Sequence, residues 1–300
     1  MRRAEVIVNA AAGSVGGRED VAQRVEGIFR EVGWDVRVSM VEPGVLMEAI
    51  ESAAGRDPEV LVVGGGDGTI RGAAGVAMER GIALGILPLG TMNLLAKDLG
   101  LPLDLEEAAR VVATGCVKKI DVGELNGSVF LHSSILGLVP RLGEDRERIR
   151  AAGISLEAPR SVLRMFQTLQ RAARLRVEMK WDGGSARVRT HMLAVVNNPV
   201  DEDGIGVFAR ASVDAGMLSV YAFRHAGPFA LVGLAWSILR GKLRRDPAVL
   251  VRDVHEMEIV LRRKRVLVSN DGEVEWMGRV LRYRILAGAL EVMVPGENDG

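Results

Sequence analysis

The first third of the chain alternates short apolar runs with stretches of helical periodicity, and this alternation constrains the fold more than any other feature. Residues 4–9 are typical of a buried strand, and residues 21–33 place apolar side chains at helical spacing before Gly33. The alternation continues through WDVRVSMV, GVLMEAIESAAG, EVLVV, TIRGAAGVAMERG, IALGILPL and DLEEAARVVATG. Strands that alternate with crossover helices predict an α/β domain with an open parallel sheet. Ligands of such sheets bind beyond the carboxyl ends of the strands.

The pattern changes near residue 117, where extended segments separated by turn residues replace the alternation. These segments are GELNGSVFLHS, LRVEMKWDGGSARVRTHMLAVVNNP and RVLVSNDGEVEW. Residues 140–175 and the segment FALVGLAWSILRGKLRR have helical spacing instead. We therefore predict two domains, an α/β domain over residues 1–122 and a β-rich domain with inserted helices over residues 123–300.

Composition narrows the class of protein. With 300 residues and 48% hydrophobic side chains, the chain can bury two cores. Its 39 basic and 39 acidic side chains cancel, so no global field attracts nucleic acid, and we expect no nucleic-acid partner. The single cysteine, Cys116, fits a reducing compartment. The longest apolar run begins at Phe229 and is shorter than the roughly 20 residues of a membrane span, so we expect a cytoplasmic protein.

A glycine-rich turn, GGGDGT, follows the apolar run VLVV and precedes a helical pattern. Glycines without Cβ atoms let backbone N–H groups approach an anion, and a helix N-terminus adds a favourable dipole. Asp67 could hold a Mg²⁺ ion that bridges phosphate oxygens, and Thr69 could bind a phosphate or cap the helix. Taken alone, the motif fits a phosphate site and a simple strand-to-helix turn equally well.

A second motif, LPLGTMN at residues 87–93, repeats this arrangement in the next strand-helix unit. Again a glycine and a threonine follow a strand, here Gly90 and Thr91. Two neighbouring turns of this kind favour a cleft for a polyphosphate over two coincidental helix caps.

The motifs VIVNAAAG, GGGDGT, LPLGTMN, ASVDAGMLSVYAF and SNDGEVEW together resemble the diacylglycerol kinase catalytic-domain family of bacterial lipid kinases. That family is related to sphingosine kinases and, more distantly, to NAD kinases and phosphofructokinases. The resemblance covers nearly the whole chain. It implies a phosphofructokinase-like nucleotide domain and a β-sandwich domain, with ATP bound between them and Mg²⁺ as cofactor. The γ-phosphate would pass to the hydroxyl of a diacylglycerol-like lipid.

The resemblance also assigns roles to individual residues. Glu273 matches the proton acceptor, Asp271 lies in the same turn, and Asp67 completes the predicted catalytic set. The metal ligands would be Asp67 and Asp214. The predicted nucleotide site consists of Asn9, Ala10, Ala11, Ala12, Gly13, Gly65, Gly66, Asp67, Gly68, Thr69, Thr91 and Asn93. A carboxylate beside the accepting hydroxyl suits phosphoryl transfer, although Asn-Asp-Gly alone would indicate a β-turn.

Several positions depart from the family pattern. Arg71 and Gly72 replace a polar-acidic pair after GGDGT, and Leu94 replaces an aspartate after Asn93. Ala215 replaces a ligand of the family's structural Mg²⁺ site, and Val41 stands where a nucleotide-contacting threonine is common. These changes leave two alternatives open: a kinase-like lipid-binding protein without turnover, and a kinase of another hydroxyl acceptor such as NAD.

A lipid acceptor implies peripheral contact with the inner face of the membrane. Residues 141–176 are rich in arginine, and residues 236–245 combine four cations with apolar side chains, so we predict that these stretches dock on the membrane. A homodimer stays open. We interpret Asn197-Asn198-Pro199 as the turn that ends a strand, and we expect Trp181 and Trp276 to be core or half-buried.

Overall fold

The computed structural model describes residues 2–12, 18–137, 175–201, 210–223 and 249–296. The chain divides into two compact units. Unit 1 comprises Met1–Val122 together with Ala287–Gly300, and unit 2 comprises Gly123–Leu286. The division at residue 122 into independent domains stays a prediction.

Unit 1 contains the predicted open parallel sheet. Its strands are β1 (Arg3–Asn9), β2 (Asp35–Val41), β3 (Val60–Gly65) and β4 (Ala83–Pro88), in the order β4-β3-β1-β2. All neighbouring pairs are parallel, and both β3 and β4 are buried along their whole length. This burial explains their continuous apolar sequence. The end of β14 (Glu273–Val294) joins the same sheet, where Val292 pairs in parallel with Leu84 of β4.

Helices connect these strands, as the periodicity predicts. They are α1 (Arg18–Glu31), α2 (Leu46–Ala54), α3 (Asp67–Arg80), α4 (Leu94–Asp98) and α5 (Leu105–Thr114), with a short 3₁₀ turn at Pro43–Val45. Local signals set the ends: Gly81 ends α3 in the left-handed region with φ of 64°, where a side chain would be strained. Asp104 caps α5 by accepting the N–H groups of Glu106 and Glu107.

In the core of unit 1, helices α1 and α5 pack against the sheet. Phe29 of α1 and the neighbouring Trp34 meet edge to face with ring centroids 5.9 Å apart. The buried indole N–H of Trp34 donates to the carbonyl of Ala113 at 2.9 Å. Its polar atom is thus satisfied inside an apolar core.

Unit 2 is β-rich and antiparallel, which confirms the predicted change of pattern. Its strands are β6 (Ser128–Phe130), β7 (Ser133–Gly137), β8 (Leu175–Trp181), β9 (Gly184–Thr190), β10 (Met192–Asn197), β11 (Leu218–Phe223), β12 (Val249–Val254) and β13 (Glu256–Asn270). Two strands belong to both units, β5 (Cys116–Leu125) and β14 (Glu273–Val294). Strand order in unit 2 follows β12-β11-β10-β7-β13-β14, while β8 pairs with β13 and β9.

The larger core cluster of unit 2 collects side chains from most of these strands. Leu136, Val195, Val220, Ile259 and Val268 are among its fully or almost fully buried members. The opposite face of β10 and β11 is buried as well, in a second cluster that contains Ala194, Val196 and Tyr221. The helices predicted over residues 140–175 and 229–245 lie outside the described residues, apart from Leu175 at the start of β8.

In the part of the chain that the structure describes, no helix is both long enough and apolar enough to cross a bilayer.

Candidate active site

The GGGDGT motif forms the end of β3 and the start of α3. Gly66 is the N-cap of α3, with extended φ and ψ angles of −88° and 178°, and no side chain caps this helix end. We predicted that the helix begins near Thr69, but it begins two residues earlier, at Asp67. The first N–H groups of an α-helix have no acceptor within the helix, and the partly exposed residues 67–69 supply them here. The arrangement is suited to binding an anion.

Thr69 takes a different position from a helix cap. Its side chain lies against Gly65, where an added Cβ would come within 2.7 Å of the Thr69 Cβ. Gly65 must therefore lack a side chain for Thr69 to occupy this position. The two glycines thus have different roles: Gly65 makes room for the Thr69 side chain, and Gly66 leaves the N-terminus of α3 without a side-chain cap.

The LPLGTMN motif forms the corresponding turn after β4. Asn93 has a φ of 49° and is the N-cap of α4. Its side-chain oxygen accepts the N–H of Gly90 at 2.9 Å, and its side-chain amide donates to the Gly90 carbonyl at 2.8 Å. These two bonds close the turn between Gly90 and Asn93, and Thr91 within the turn is exposed.

Asp67 joins the two turns. One carboxylate oxygen accepts the backbone N–H of Asn93 at 3.0 Å, and the other accepts that of Leu94 at 2.7 Å. The turns also touch at their glycines, because a Cβ on Gly90 would lie 2.5 Å from the Cα of Gly66. The structure thus brings together the two motifs that the sequence places in neighbouring strand-helix units.

The VIVNAAAG motif lies at the same edge of the sheet. Val8 pairs with Gly64 of β3, so Asn9 follows directly beside the glycine-rich turn. The side chain of Asn9 accepts the N–H of Ala11 at 3.0 Å, and its carbonyl accepts that of Ala12 at 3.1 Å. Ala10 is buried and Ala12 half-buried, whereas Gly13 lies outside the described residues.

The predicted acidic turn lies in unit 2 and is the hairpin between β13 and β14. Asp271 and Gly272 both have positive φ angles, of 49° and 94°, which matches a tight two-residue hairpin turn. The carboxylate of Asp271 accepts three consecutive backbone N–H groups, from Leu131 at 2.6 Å and from His132 and Ser133 at 2.9 Å. This carboxylate therefore anchors the hairpin to the segment before β7.

Glu273 differs from Asp271 in its surroundings. It is the first residue of β14, it pairs with Asn270 in the ladder, and it is exposed. The neighbouring Glu275 accepts the side-chain amide of Asn270 at 3.0 Å. Of the two carboxylates in the predicted turn, Glu273 is the more exposed.

The sequence did not predict a polar network at the Leu131 carbonyl. The Leu131 carbonyl accepts the side-chain amide of Asn197 at 2.9 Å and the guanidinium of Arg210 at 2.8 Å. Asn197 ends β10 and Asn198 has a φ of 69°, so the predicted strand-ending turn is present, yet both side chains are fully buried. Asparagine in the sequence signalled the turn, and nothing in the local pattern signalled the network.

The predicted metal ligands are Asp67 and Asp214. Each Asp67 oxygen accepts one N–H and keeps capacity for a second partner, so this carboxylate fits a Mg²⁺ ion or a metal-bound water. Asp214 is exposed and accepts a hydrogen bond from the hydroxyl of Ser212. Within the described ranges, no group of three or more His, Cys, Asp or Glu side chains forms a metal cage.

One titratable group near the hairpin has a clear shift. Burial raises the pKa of Tyr283 above its ordinary value of 10.0, and the hydrogen bond with the Ser134 hydroxyl partly opposes this. The two oxygens lie 3.0 Å apart in the core of unit 2. Tyr283 therefore stays neutral in the folded protein well into the alkaline range.

Family models match both parts of the chain. Residues 3–125 match the diacylglycerol kinase catalytic domain, and residues 142–294 match the YegS C-terminal NAD kinase β-sandwich-like domain. A protein named "Probable lipid kinase YegS-like" from Pseudomonas aeruginosa is 30% identical over 291 residues, covering 94% of this chain and 92% of the relative. A protein named "Diacylglycerol kinase" from Bacillus subtilis is 25% identical over 284 residues, covering 91% of this chain and 90% of the relative.

The fold matches as well. A crystal structure described as a diacylglycerol kinase from Bacillus anthracis superimposes with a TM-score of 0.72 at 18% identity, covering 98% of this chain and 97% of the other. The matched catalytic-domain model and the named relatives belong to a family of kinases. The chain belongs to the diacylglycerol kinase family of lipid kinases.

Proposed function

We propose that the protein is an ATP- and Mg²⁺-dependent lipid kinase that transfers the γ-phosphate to the hydroxyl of a diacylglycerol-like acceptor. The observation that carries the proposal is the pair of touching glycine turns at Gly66 and Gly90, beside the uncapped N-terminus of α3. Open amides and a helix dipole at one point favour a polyphosphate. The family relationship supplies the reaction class.

Residues of this chain divide the work. The backbone of residues 66–69 would bind phosphate oxygens, and Asp67 would hold Mg²⁺ while keeping α4 in place. Mg²⁺ would neutralise charge on the transferred phosphoryl group. Glu273 would accept the proton of the lipid hydroxyl, a role that needs a reachable carboxylate. Asp271 would hold the hairpin that carries Glu273, because its own oxygens already accept three N–H groups.

The experiment combines the protein with labelled ATP, Mg²⁺ and a total lipid extract, followed by identification of any labelled lipid. The proposal expects a phospholipid that depends on both ATP and Mg²⁺. The Glu273→Gln variant is the matched control, since it changes one oxygen of an exposed side chain. A parallel reaction uses NAD as the acceptor. Label in NAD and none in a lipid would show that the protein is a kinase of NAD and not of a lipid.

A second candidate is a kinase-like lipid-binding protein without turnover, and one observation favours it. Gly72 stands where the resemblance places an acidic residue, and an added Cβ would lie 2.7 Å from the sulfur of Met47. An apolar side chain therefore occupies the space next to the absent carboxylate. Calorimetry that detects ATP binding, combined with no labelled product in the lipid extract, would support this candidate.

A further inference from the structure

A cluster of five exposed cations lies on the β13–β14 hairpin of unit 2. It consists of Arg262, Arg263, Lys264, Arg265 and Arg279, and we refer to it as the basic hairpin cluster. We predicted membrane contact at two other basic stretches, residues 141–176 and 236–245. Apart from Leu175 and Arg176, those stretches lie outside the described residues.

A bulge in β13 allows four consecutive side chains of this run to be exposed. Residues of a regular strand alternate between two faces, so two of the four would normally point to the core. Here the ladder between β13 and β14 shifts register: Val260 pairs with Val280, and the next pair is Arg265 with Gly278. Residues 261–264 of β13 thus face a single residue of β14, Arg279; Leu261 is buried in the core, and the other three are exposed. The interrupted ladder therefore accounts for the exposure of Arg262, Arg263 and Lys264, and Arg265 follows where the pairing resumes.

The five cations are not neutralised locally. In the part of the chain described, none of their side chains forms an ion pair or a hydrogen bond. The sequence has no Asp or Glu from residue 259 to 270 or from 276 to 290. Two other arginines of the same hairpin differ in this respect, because Arg282 pairs with Glu258 and Arg284 with Glu124.

Two further cations extend the surface onto the neighbouring strands. Arg176 of β8 lies directly opposite Arg189 of β9, and both are exposed. Val177, the residue after Arg176, pairs with Leu261 of β13. The Arg176–Arg189 pair therefore adjoins the cluster, which begins at Arg262. Like charges directly opposite each other destabilise a sheet. A surface that keeps them is suited to an anionic partner.

An exposed tryptophan adjoins the cluster. We expected Trp276 to be core or half-buried, and this was wrong, because 59% of it is exposed. Trp276 pairs with Leu267, two positions from the Arg265–Gly278 pair, so it is a diagonal neighbour of Arg265. Indole side chains with one apolar and one polar edge favour the boundary between lipid and water.

We propose that the basic hairpin cluster and Trp276 form the surface that docks the protein on an anionic lipid bilayer. Cations would contact lipid phosphates, and the indole would insert among the head groups. Glu273 lies three residues before Trp276 on β14, about 10 Å along the strand. The choice of a bilayer over a nucleic acid rests on Trp276 and on the proposed lipid acceptor.

The test is sedimentation with vesicles of phosphatidylcholine alone and of phosphatidylcholine mixed with phosphatidylglycerol, without ATP. Wild-type protein should bind the mixed vesicles, and added salt should weaken the binding. Each basic side chain near an anionic surface strengthens binding about fivefold. The double variant Arg263→Glu, Lys264→Glu should therefore bind at least ~20-fold more weakly. Trp276→Ala should weaken binding to the mixed vesicles without changing its dependence on salt.

The matched control is Arg37→Glu with Arg80→Glu, which makes the same charge change at exposed positions of unit 1. This control should bind mixed vesicles within about twofold of wild type, since the surface charge of the cluster is intact. Equal loss in both double variants would overturn the proposal, because it would indicate an effect of net charge. Equal binding to neutral vesicles, or binding to single-stranded RNA with no binding to vesicles, would overturn it as well.

Failure of docking and failure of the proposed function give different results. If the function is right, the cluster variant should phosphorylate a short-chain, water-dispersed diacylglycerol at the wild-type rate and lose activity on vesicles. If no lipid is phosphorylated at all, vesicle binding that depends on the cluster still supports the docking surface. Circular dichroism of each variant confirms that the fold is kept.

Discussion

The carboxylate of Asp67 accepts the backbone N–H of Leu94 at 2.7 Å, across 27 residues of sequence. The other oxygen accepts the neighbouring N–H of Asn93, so one side chain holds the start of α4 while its own residue opens α3. A residue at the candidate phosphate site is thus also part of the scaffold. Substitutions at Asp67 should accordingly affect both stability and chemistry.

Asp67→Ala should lower the free energy of unfolding by about 1–3 kcal/mol, because two backbone N–H groups lose their acceptor. Asp67→Asn keeps one acceptor oxygen and should lose less stability. Both should weaken the dependence of turnover on Mg²⁺, since the charge is removed. Thermal unfolding and Mg²⁺ titration of activity separate these effects. Wild-type stability of Asp67→Ala would contradict the scaffold role.

Gly66→Ala and Gly90→Ala form a matched pair. A Cβ on Gly66 would lie 3.5 Å from the Gly90 Cα, which is ordinary contact, so this variant should fold. It should lose ATP affinity because the methyl group stands where phosphate approaches. A Cβ on Gly90 would lie 2.5 Å from the Gly66 Cα, so that variant should lose stability as well. Calorimetry with ATP and thermal melting test both; unchanged ATP affinity in Gly66→Ala would remove the phosphate site from this turn.

Glu273→Gln should keep ATP affinity and lose about 10²- to 10⁴-fold in turnover, the usual effect of removing a positioned base. Because Glu273 is exposed, the substitution should leave the melting temperature unchanged. Rates of phosphoryl transfer to the acceptor found in the lipid extract provide the measurement. Full activity of this variant would assign proton acceptance to another group.

Asp271→Ala should instead destabilise unit 2 by on the order of 3 kcal/mol, because three backbone N–H groups lose a charged acceptor. Any loss of activity should follow from displacement of the hairpin. Asp271→Asn, which keeps one acceptor oxygen, should therefore recover part of both stability and turnover. If Asp271→Ala loses activity with wild-type stability, Asp271 acts in the chemistry rather than in positioning.

Tyr283 predicts a dependence of stability on pH. Its folded pKa is raised above the ordinary value of 10.0, so the unfolded chain releases the phenol proton first as pH rises. The neutral phenol therefore favours the native state below pH 10, and stability falls as the pH increases beyond that value. Tyr283→Phe should flatten this alkaline decline. Urea unfolding at a series of pH values measures it, and an unchanged slope would contradict the prediction.

Local signals made most of unit 1 predictable. Continuous apolar runs mark buried parallel strands, and glycines mark the turns at Gly66 and Gly90, so the sequence is sufficient for the strand-helix order and for the neighbouring turns. The bond from Asp67 to Leu94 was not predictable, because it depends on how the two turns meet in space. Leu94 was read as the loss of a carboxylate, whereas the backbone of that residue is what Asp67 binds.

Unit 2 shows the same limit more strongly. Asn-Asp-Gly predicted the hairpin turn, but its target, the N–H groups of residues 131–133, is some 140 residues away in sequence. The alternation of side chains along β14 divides them between two faces of the strand, but it does not indicate which face is covered by another element. The exposure of Trp276 could therefore not be predicted. The bulge after Val260 has no signal in the sequence other than the run of four cations, so it could not be predicted.

The final strand has a consequence for how the protein is made. Leu290, Val292 and Met293 are fully buried in unit 1, and β14 is the neighbour of β4 in the sheet. During synthesis, β1 to β4 emerge from the ribosome long before this strand exists. Until residues 287–294 follow, β4 is an unpaired sheet edge, the kind of surface that recruits other chains or chaperones. Completion of unit 1 therefore depends on a strand that is translated after the β13–β14 turn of unit 2.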